Sequence, residues 1–125
     1  MNNDFIKAEI ERVGYYIKDL NLYFSKNIVP KELMGGTGFI TAFNNYGIKT
    51  NDEINETNTI KLQSVLSKYN YMEAYSVYNG KYDEKGFVVF DVDYLTMFNL
   101  CHEFHQNAVI YIDTDFKIIY NLSLK

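Results

Sequence analysis

The chain has 125 residues, of which 47% are hydrophobic and 22% charged, and this predicts one globular domain, 1–125, around a single core. Its net charge of −4 and sequence pI of about 5.1 argue against nucleic-acid binding, which needs a basic surface. No apolar run reaches the roughly 18 residues of a membrane-spanning helix, no signal peptide is recognisable, and Cys101 is the single cysteine, so we expect a cytoplasmic protein without membrane contact.

Residues 1–30 form the predicted N-terminal helical segment. Apolar residues recur there at spacings of 4, 3, 4 and 3, which places them on one face of an amphipathic helix: Ile6, Ile10, Val13, Ile17 and Leu20. Leu22-Tyr23-Phe24 could continue this helix or form a short extended piece, and the pattern leaves both open. Pro30 disfavours a helical conformation in the residue before it, so the segment ends there.

The predicted sheet core spans residues 38–122. Phe39–Phe43 is short, apolar and β-prone, which is typical of a buried strand. Thr50 and Glu53 have the spacing of a capping box and predict a helix to about Tyr69. The partial alternation of Tyr71–Tyr78 predicts an edge strand.

Further strand and helix signals follow in the second half of the chain. Asn79-Gly80 predicts a turn, and Lys81–Lys85 a charged connector. Phe87–Val92 is nearly continuous apolar sequence, as in a covered central strand. Asp93 can cap the next helix. Two more strands, joined by a tight turn, complete the prediction: Ala108–Ile112 and Phe116–Leu122.

The order of these elements after the first helix is β-α-β-β-α-β, followed by one strand. This is the order of an α+β ferredoxin-like split βαβ fold, here with an extra N-terminal helix and an extra C-terminal strand. Right-handed crossovers leave room for one strand between each parallel pair. The topology therefore predicts that Phe39–Phe43 lies between Phe87–Val92 and Ala108–Ile112, antiparallel to both.

This topology gathers polar residues from five segments at one end of the sheet. We call them the polar rim: Asn44, Asn55, Glu84, His102, His105, Gln106 and Asn107. Amides, a carboxylate and imidazoles suit recognition of a polar ligand or a peptide backbone. The same side chains also suit a network that fixes turns and satisfies loop backbone. The pattern leaves both interpretations open.

The segment from Phe39 to Ile112 resembles a bacterial family of small proteins known only as a domain of unknown function. The matching motifs are the strand Phe39-Ile40-Thr41-Ala42-Phe43-Asn44, then Asp52-Glu53-Ile54-Asn55 with Leu62, and later Glu84 and Phe104-His105-Gln106-Asn107-Ala108. Asn45 stands where the family has a proline, and His105 where it has a glycine. The resemblance implies a recurring set of positions but no activity.

No catalytic, metal or cofactor site is predicted. Cys101, His102, Glu103 and His105 lie close in sequence, but the chain has one Cys and two His, too few for a typical zinc site. Cys101 has apolar neighbours, and we interpret it as a small buried hydrophobic residue. The glycine-rich stretch 35–38 lacks the lysine of a phosphate-binding loop and precedes a strand.

The sequence favours a non-enzymatic module that acts by binding another protein. Twelve tyrosines in a domain of this size cannot all be buried, and exposed tyrosines make good contact residues. One version is a phage- or mobile-element-encoded inhibitor of a host defence protein. The alternative is a small enzyme or polar-ligand-binding protein that uses the polar rim. A homodimer, formed through the first helix or an open sheet edge, is the third expectation.

Overall fold

The computed structural model describes residues 3–121, which form three α-helices and one antiparallel sheet of seven strands. The helices are α1 (Asn3–Glu11), α2 (Asp52–Leu66) and α3 (Tyr94–Glu103). The strands are β1 (Gly14–Ile17), β2 (Leu22–Phe24), β3 (Thr37–Ile40), β4 (Asn70–Tyr78), β5 (Lys81–Phe90), β6 (Ala108–Ile112) and β7 (Phe116–Tyr120). Leu122, the predicted last residue of the sheet core, lies outside the described residues. Across this range, none of the helices combines the length and the apolar character needed to cross a bilayer.

The strand order across the sheet is β2-β1-β4-β5-β3-β6-β7. As predicted, β3 lies between β5 and β6 and is antiparallel to both, with Ile40 opposite Phe87 and Phe39 opposite Ile110. Its bounds are Thr37–Ile40 rather than the predicted Phe39–Phe43. All four residues of β3 are buried, because sheet neighbours cover both of its edges and packed layers cover both of its faces. This central position explains why the strand is so short and so apolar.

The predicted helical segment 1–30 is wrong beyond Glu11. α1 ends at that residue, and the chain then forms the antiparallel pair β1 and β2, so residues 22–24 are extended. Ile17 also has the spacing of a strand, since Tyr15 lies two positions before it and both side chains are buried on one face of β1. β-Branched and aromatic residues favour this choice, and β4 supplies the hydrogen-bonding partner.

Two predictions for β4 and β5 are also wrong. Tyr71–Tyr78 is not at an edge, because β1 pairs with β4 on the side away from β5. Lys81–Lys85 is not a connector but the first half of β5. The Asn79-Gly80 turn is confirmed, with φ angles of 52° and 75°. Such a turn joins two strands directly, so the ladder continues to the turn and includes the charged residues.

The helix starts are set by local capping. α2 is capped by Asn51 rather than by the predicted capping box at Thr50, and the Asn51 side-chain oxygen accepts the Ile54 N–H at 2.9 Å. Asparagine is among the strongest N-cap residues. The predicted cap of α3 is confirmed, since Asp93 Oδ1 accepts the Thr96 N–H at 2.8 Å.

Two hydrophobic cores lie on opposite faces of the sheet. The larger core packs α2 and α3 against one face, and its fully buried side chains include Ile40, Leu62, Leu66, Phe87, Val89, Met97, Cys101 and Ile119. The second core covers the other face with Tyr15, Ile17, Phe24, Leu33, Phe39, Ala74, Val88, Ile110 and Ile112. Helices therefore cover one face, and the sheet itself supplies most of the cover on the other.

The sheet curls so that its second core is enclosed. The Tyr15 ring lies 4.7 Å from Phe39 and 6.2 Å from Phe116 between centroids, although four strands separate β1 from β7. α1 lies beside the open end of this curl, with Ile6 as its buried residue. The concave face is therefore filled at one end and open beneath α1 at the other.

Candidate functional site

A cavity of about 500 Å³ occupies the open end of the concave face. Its apolar wall comes mainly from α1, β1, β3 and β6 and includes Phe5, Ile6, Ile10, Val13, Tyr15, Phe39, Phe43, Ala108 and Ile110. Its polar side chains are Glu9, Thr41, Asn44, Ser76, Asp83, Glu84, Gln106 and Asn107. The volume is within the usual range for small-molecule sites, as is the combination of apolar walls with a few polar groups.

Asn44 follows β3 and is held in one orientation at the cavity. Its φ of 50° is a left-handed conformation, which asparagine tolerates better than most residues. Its side-chain oxygen accepts the Thr50 backbone N–H at 3.0 Å and Asn55 Nδ2 at 3.2 Å. A backbone N–H can only donate, so the Asn44 oxygen must face Thr50. The amide nitrogen therefore points the other way and donates to Glu84 Oε2 at 3.0 Å.

Asn55 fixes Asn44 from the first turn of α2. It is 4% exposed and does not itself line the cavity. Its Oδ1 accepts the Asn44 backbone N–H at 2.9 Å and the Thr50 hydroxyl at 2.7 Å. The two asparagines thus bond reciprocally, and Asn55 is a support for the site rather than part of its surface.

Glu84 lies on β5 at a β-bulge that turns it toward the cavity. The register between β4 and β5 shifts between Tyr75 and Val77, and bulges commonly redirect a side chain. Ser76, inside this bulge, accepts the Glu84 backbone N–H with its hydroxyl oxygen at 3.0 Å. Glu84 lies two positions before Gly86 and four before Val88, and Val88 belongs to the second core. Because side chains alternate along a strand, Glu84 faces the side of that core.

Burial raises the pKa of the Glu84 carboxyl from 4.5 to about 7, and the neighbouring Asp83 carboxylate adds to this effect. The hydrogen bond from Asn44 acts in the opposite direction and lowers the pKa. Tyr15 faces Glu84 from β1, and burial together with the Glu84 charge raises the pKa of its phenol. At neutral pH, Glu84 therefore exchanges between its charged and its neutral form.

Gln106 and Asn107 reach the cavity from the start of β6. Gln106 is 6% exposed, and its Nε2 donates to the carbonyl oxygens of Phe43 at 3.1 Å and Phe104 at 3.3 Å. Both partners are carbonyl oxygens, which identifies the bonded atom as the amide nitrogen, and Gln106 therefore connects the segment after β3 to the turn before β6. Asn44, Glu84, Gln106 and Asn107, four members of the polar rim, therefore line one cavity.

The two histidines of the polar rim lie elsewhere. His102 Nδ1 is 2.9 Å from the Phe98 carbonyl oxygen of its own helix, and His105 Nδ1 is 2.9 Å from the Tyr46 hydroxyl. Neither residue lines the cavity. His105 has a φ of 53°, a conformation that glycine adopts without steric cost. This is the position where the resembling motif has glycine.

Several cavity residues were not predicted from the sequence. Ser76 was assigned to an edge strand and Asp83 to a connector. Neither assignment placed the residue near the polar rim, although both line the cavity. Glu9 and the apolar residues of α1 reach the cavity only because α1 lies over the open end of the curl. The sequence offered one signal, since Ser76 is a polar residue within a strand of mainly apolar and aromatic residues. The structure shows that Ser76 is 7% exposed, and a buried hydroxyl requires a hydrogen-bonding partner.

The chemistry of this site is limited to one carboxyl and several amides. Burial raises the pKa of Cys101 to about 12, which makes its thiol inert, as a structural cysteine should be. Over residues 3–121, no three His, Cys, Asp or Glu side chains come together in a way that could hold a metal ion. The arrangement can bind a ligand through Glu84 and amide groups and can exchange a proton at Glu84.

Replacing Glu84 should change how stability depends on pH. Below about pH 4.5 the carboxyl is protonated in both folded and unfolded chains. As pH rises toward 7 and beyond, the unfolded chain ionises first, so the wild type loses stability that E84Q retains. We expect urea unfolding at pH 8 to show E84Q more stable by roughly 2 kcal/mol, and a negligible difference near pH 4.

Asp83→Asn is the matched control for this prediction. It removes the adjacent charge that raises the Glu84 pKa in the folded chain, so the loss of stability should begin at the same pH, end at a lower pH and be smaller. The other charged or titratable groups around Glu84, namely Glu9 on α1 and Tyr15 on β1, are unchanged in both variants. Parallel profiles of unfolding free energy against pH for wild type and E84Q would contradict the assignment of a raised pKa to Glu84.

Comparison with known proteins identifies a family but no activity. No curated protein and no solved structure matches the chain. A family model described as "Protein of unknown function (DUF3293)" matches residues 40–109. This range includes the cavity residues Asn44, Glu84 and Gln106, whereas α1 and β1 precede it. Since the match covers more than half of the chain, this protein belongs to the DUF3293 family.

Proposed function

We propose that this protein binds a small molecule with an apolar body and a polar group in the cavity beneath α1. The observation that carries this proposal is the partly buried Glu84 carboxyl, which faces an otherwise mainly apolar space of about 500 Å³. A carboxyl in such a place destabilises the fold once it is ionised. Carboxyls whose pKa is perturbed by burial are concentrated at functional sites.

The polar groups of the cavity are held in place before any ligand arrives. Asn44 is fixed by Thr50 and Asn55, Glu84 is held by Asn44 and Ser76, and Gln106 is held by two carbonyls. Pre-formed polar groups reduce the entropy that binding must otherwise overcome. A purely structural network would not require an open space of this size beside it. The geometry therefore favours ligand binding over the sequence-based expectation of protein contact alone.

Filling the cavity should abolish binding without disrupting the fold. Ala108 opens β6 and lines the cavity, two residues from Ile110 and on the same face. In Ala108→Phe, the phenyl ring would occupy space that the fold leaves empty. A thermal-shift screen against a fragment library should give compounds that stabilise the wild type, since ligand at 100 times its Kd adds about 2.7 kcal/mol. The same compounds should leave Ala108→Phe unchanged.

Ala8→Phe is the matched control for the cavity variant. Ala8 lies on α1 but is exposed and does not line the cavity, so the same change of side chain should preserve every hit. Binding that survives in Ala108→Phe would place the ligand elsewhere. A screen without any hit that stabilises the wild type would contradict the proposal.

We also infer that four of the strands, together with two helices, form a ferredoxin-like split βαβ core. The support is the order β4-β5-β3-β6, antiparallel throughout, with α2 and α3 packed on one face. α1, β1, β2 and β7 are additions to this core. The proposed location is the cytoplasm, which suits a buried thiol at Cys101 without a disulfide partner.

A second candidate function is protein contact through a row of tyrosines. Tyr16 pairs with Tyr23 on β2 and with Tyr75 on β4. Tyr82 stacks on Tyr75 at 4.7 Å and lies 6.2 Å from Tyr16. Tyr23 and Tyr82 are 43% and 60% exposed. A surface of stacked tyrosines is rigid and amphipathic, and such residues are enriched in protein interfaces.

The two candidates are separable by experiment. A pull-down from bacterial lysate should be repeated with Ala108→Phe and with a variant in which Tyr16 and Tyr82 are both replaced by Ser. A stoichiometric partner that is retained by the cavity variant and lost by the tyrosine variant would favour protein contact, including the proposed role as an inhibitor of a defence protein. Absence of any stoichiometric partner would count against that role. Sedimentation of a monomer at high concentration would exclude a homodimer.

A further inference from the structure

We propose that the ligand of this cavity is a cation, specifically an ammonium group on an apolar body. This inference rests on the proposed function and concerns the class of ligand. Three carboxyl groups line the cavity, from Glu9, Asp83 and Glu84. None of the described lining residues is a lysine, an arginine or a histidine. Glu9 is paired with Arg12 at 2.7 Å, so the charge that the cavity offers to a cation comes from Asp83 and Glu84.

The position of Glu84 makes it the anchor for such a group. Its Oε2 accepts one hydrogen bond from Asn44, whereas a carboxylate can accept about four. Gln106 uses its Nε2 for two carbonyl oxygens, so its remaining polar atom is an acceptor. An ammonium group brings three donors and no acceptor. The donors of the ligand would thus meet acceptors held by the protein.

The apolar wall selects the rest of the molecule. Phe39, Ile110 and Tyr15 lie toward the second core, while Ile6 and Ile10 contribute from α1. An aliphatic or aromatic body placed among these side chains removes apolar surface from water, which favours binding. A small hydrated cation has no such body, so it would forgo this contribution. An amine with an arylalkyl chain can bind Glu84 through its ammonium group and the apolar wall through its aryl ring.

Anionic and neutral ligands fit the charge distribution less well. A carboxylate or phosphate would enter a space that already holds the Asp83 and Glu84 carboxyls, and like charges repel. A neutral alcohol would make hydrogen bonds but would leave the ionised carboxyl without a counter-charge. The charged amine is the form that compensates the burial of Glu84.

Binding of an amine should be linked to the protonation of Glu84. Near pH 7 part of the protein carries a neutral Glu84, because burial and Asp83 raise its pKa to about 7. An ammonium group binds the carboxylate, so complex formation from the neutral form releases one proton to solvent. Affinity should therefore increase from pH 6 to pH 8. The charged or titratable groups facing Glu84 are Asp83 on β5, Tyr15 on β1 and Glu9 on α1.

The experiment uses three probes that share one apolar body. 4-Phenylbutylamine, 4-phenylbutanol and 4-phenylbutanoate are titrated into the ¹⁵N-labelled full chain, and Kd values are obtained from chemical shifts at pH 6, 7 and 8. We expect the amine to bind at least tenfold more tightly than the alcohol at pH 8 and the carboxylate to bind most weakly. The amine affinity should increase with pH.

Two variants distinguish failure of this inference from failure of the proposed function. Glu84→Gln keeps the shape of the side chain and the acceptor for Asn44. It should weaken the affinity for the amine at least tenfold and leave the affinity for the alcohol unchanged. Ala108→Phe should abolish binding of every probe. If the alcohol or the carboxylate binds as tightly as the amine and Ala108→Phe still abolishes it, the cavity is a ligand site but the amine inference is wrong. If none of the probes binds the wild type, both proposals fail.

Discussion

Gly36→Ala is expected to destabilise the protein by roughly 3 to 5 kcal/mol. Gly36 has a φ of 122°, and a Cβ there would lie 2.5 Å from the Val92 carbonyl oxygen. The backbone cannot shift to relieve this contact without loss of hydrogen bonds, because the Gly36 N–H donates to Ile112 at 3.0 Å and its carbonyl accepts the Val92 N–H at 3.1 Å. Backbone strain and overpacking each cost about 1 to 3 kcal/mol. Urea unfolding followed by circular dichroism measures the loss.

Gly35→Ala separates the two causes. Gly35 also has a positive φ, 97°, but a Cβ there would have nothing within 4 Å. Its replacement should therefore show the conformational cost alone, about 1 to 2 kcal/mol. Equal losses in the two variants would show that the contact with Val92 does not matter. A small loss in Gly36→Ala would contradict the tight junction of β3 with its neighbours.

Asn55→Ala is expected to lower the free energy of unfolding by roughly 3 kcal/mol. It should also weaken the affinity for the cavity probes, although Asn55 does not line the cavity. The change leaves the Asn44 backbone N–H and the Thr50 hydroxyl without their acceptor and removes the bond from Nδ2 to Asn44. Asn55 is 4% exposed, and a buried polar group without its partner costs about 1 to 3 kcal/mol. Asn44 would also lose part of what orients its amide toward Glu84.

Asn51→Ala provides the comparison within the same helix. Asn51 is exposed and makes one capping bond, to the Ile54 N–H, so its loss should cost about 1 kcal/mol. It should also leave affinity for the cavity probes unchanged, because it does not contact Asn44. If Asn51→Ala proves as damaging as Asn55→Ala, the network around Asn44 has no special role. If Asn55→Ala unfolds the chain entirely, Asn55→Asp, which retains the acceptor oxygens, tests the site.

The bonds that join the first turn of α2 to the segment after β3 are therefore the bonds that prepare the cavity. Asn44 follows the central strand, Asn55 lies in the first turn of α2, and their mutual bonds join the two segments. The same amide of Asn44 then reaches Glu84. This arrangement explains why the polar rim could be read from the sequence both as a structural network and as a site. Asn55 belongs to the first description, Glu84 to the second, and Asn44 to both.

Local signals were sufficient wherever a short stretch determines its own conformation. Asn79-Gly80 forms the predicted turn because both residues tolerate the positive φ it needs. Asp93 caps α3 because its side chain satisfies a backbone N–H three residues later. The central place of β3 followed from element order, since right-handed crossovers leave one slot for it. None of these predictions required knowledge of distant contacts.

Tertiary structure decided the points at which one pattern fits two conformations. Ile17 has the helical spacing from Val13 and the strand spacing from Tyr15, and pairing with β4 selected the strand. That choice removed β4 from the edge and brought Tyr15 across the curl to Phe39. The sequence by itself therefore determined the central place of β3, the Asn79-Gly80 turn and the cap of α3. Only the curl of the sheet and the placement of α1 decided that part of the polar rim faces a cavity, because a concave space depends on contacts between distant segments that no local pattern encodes.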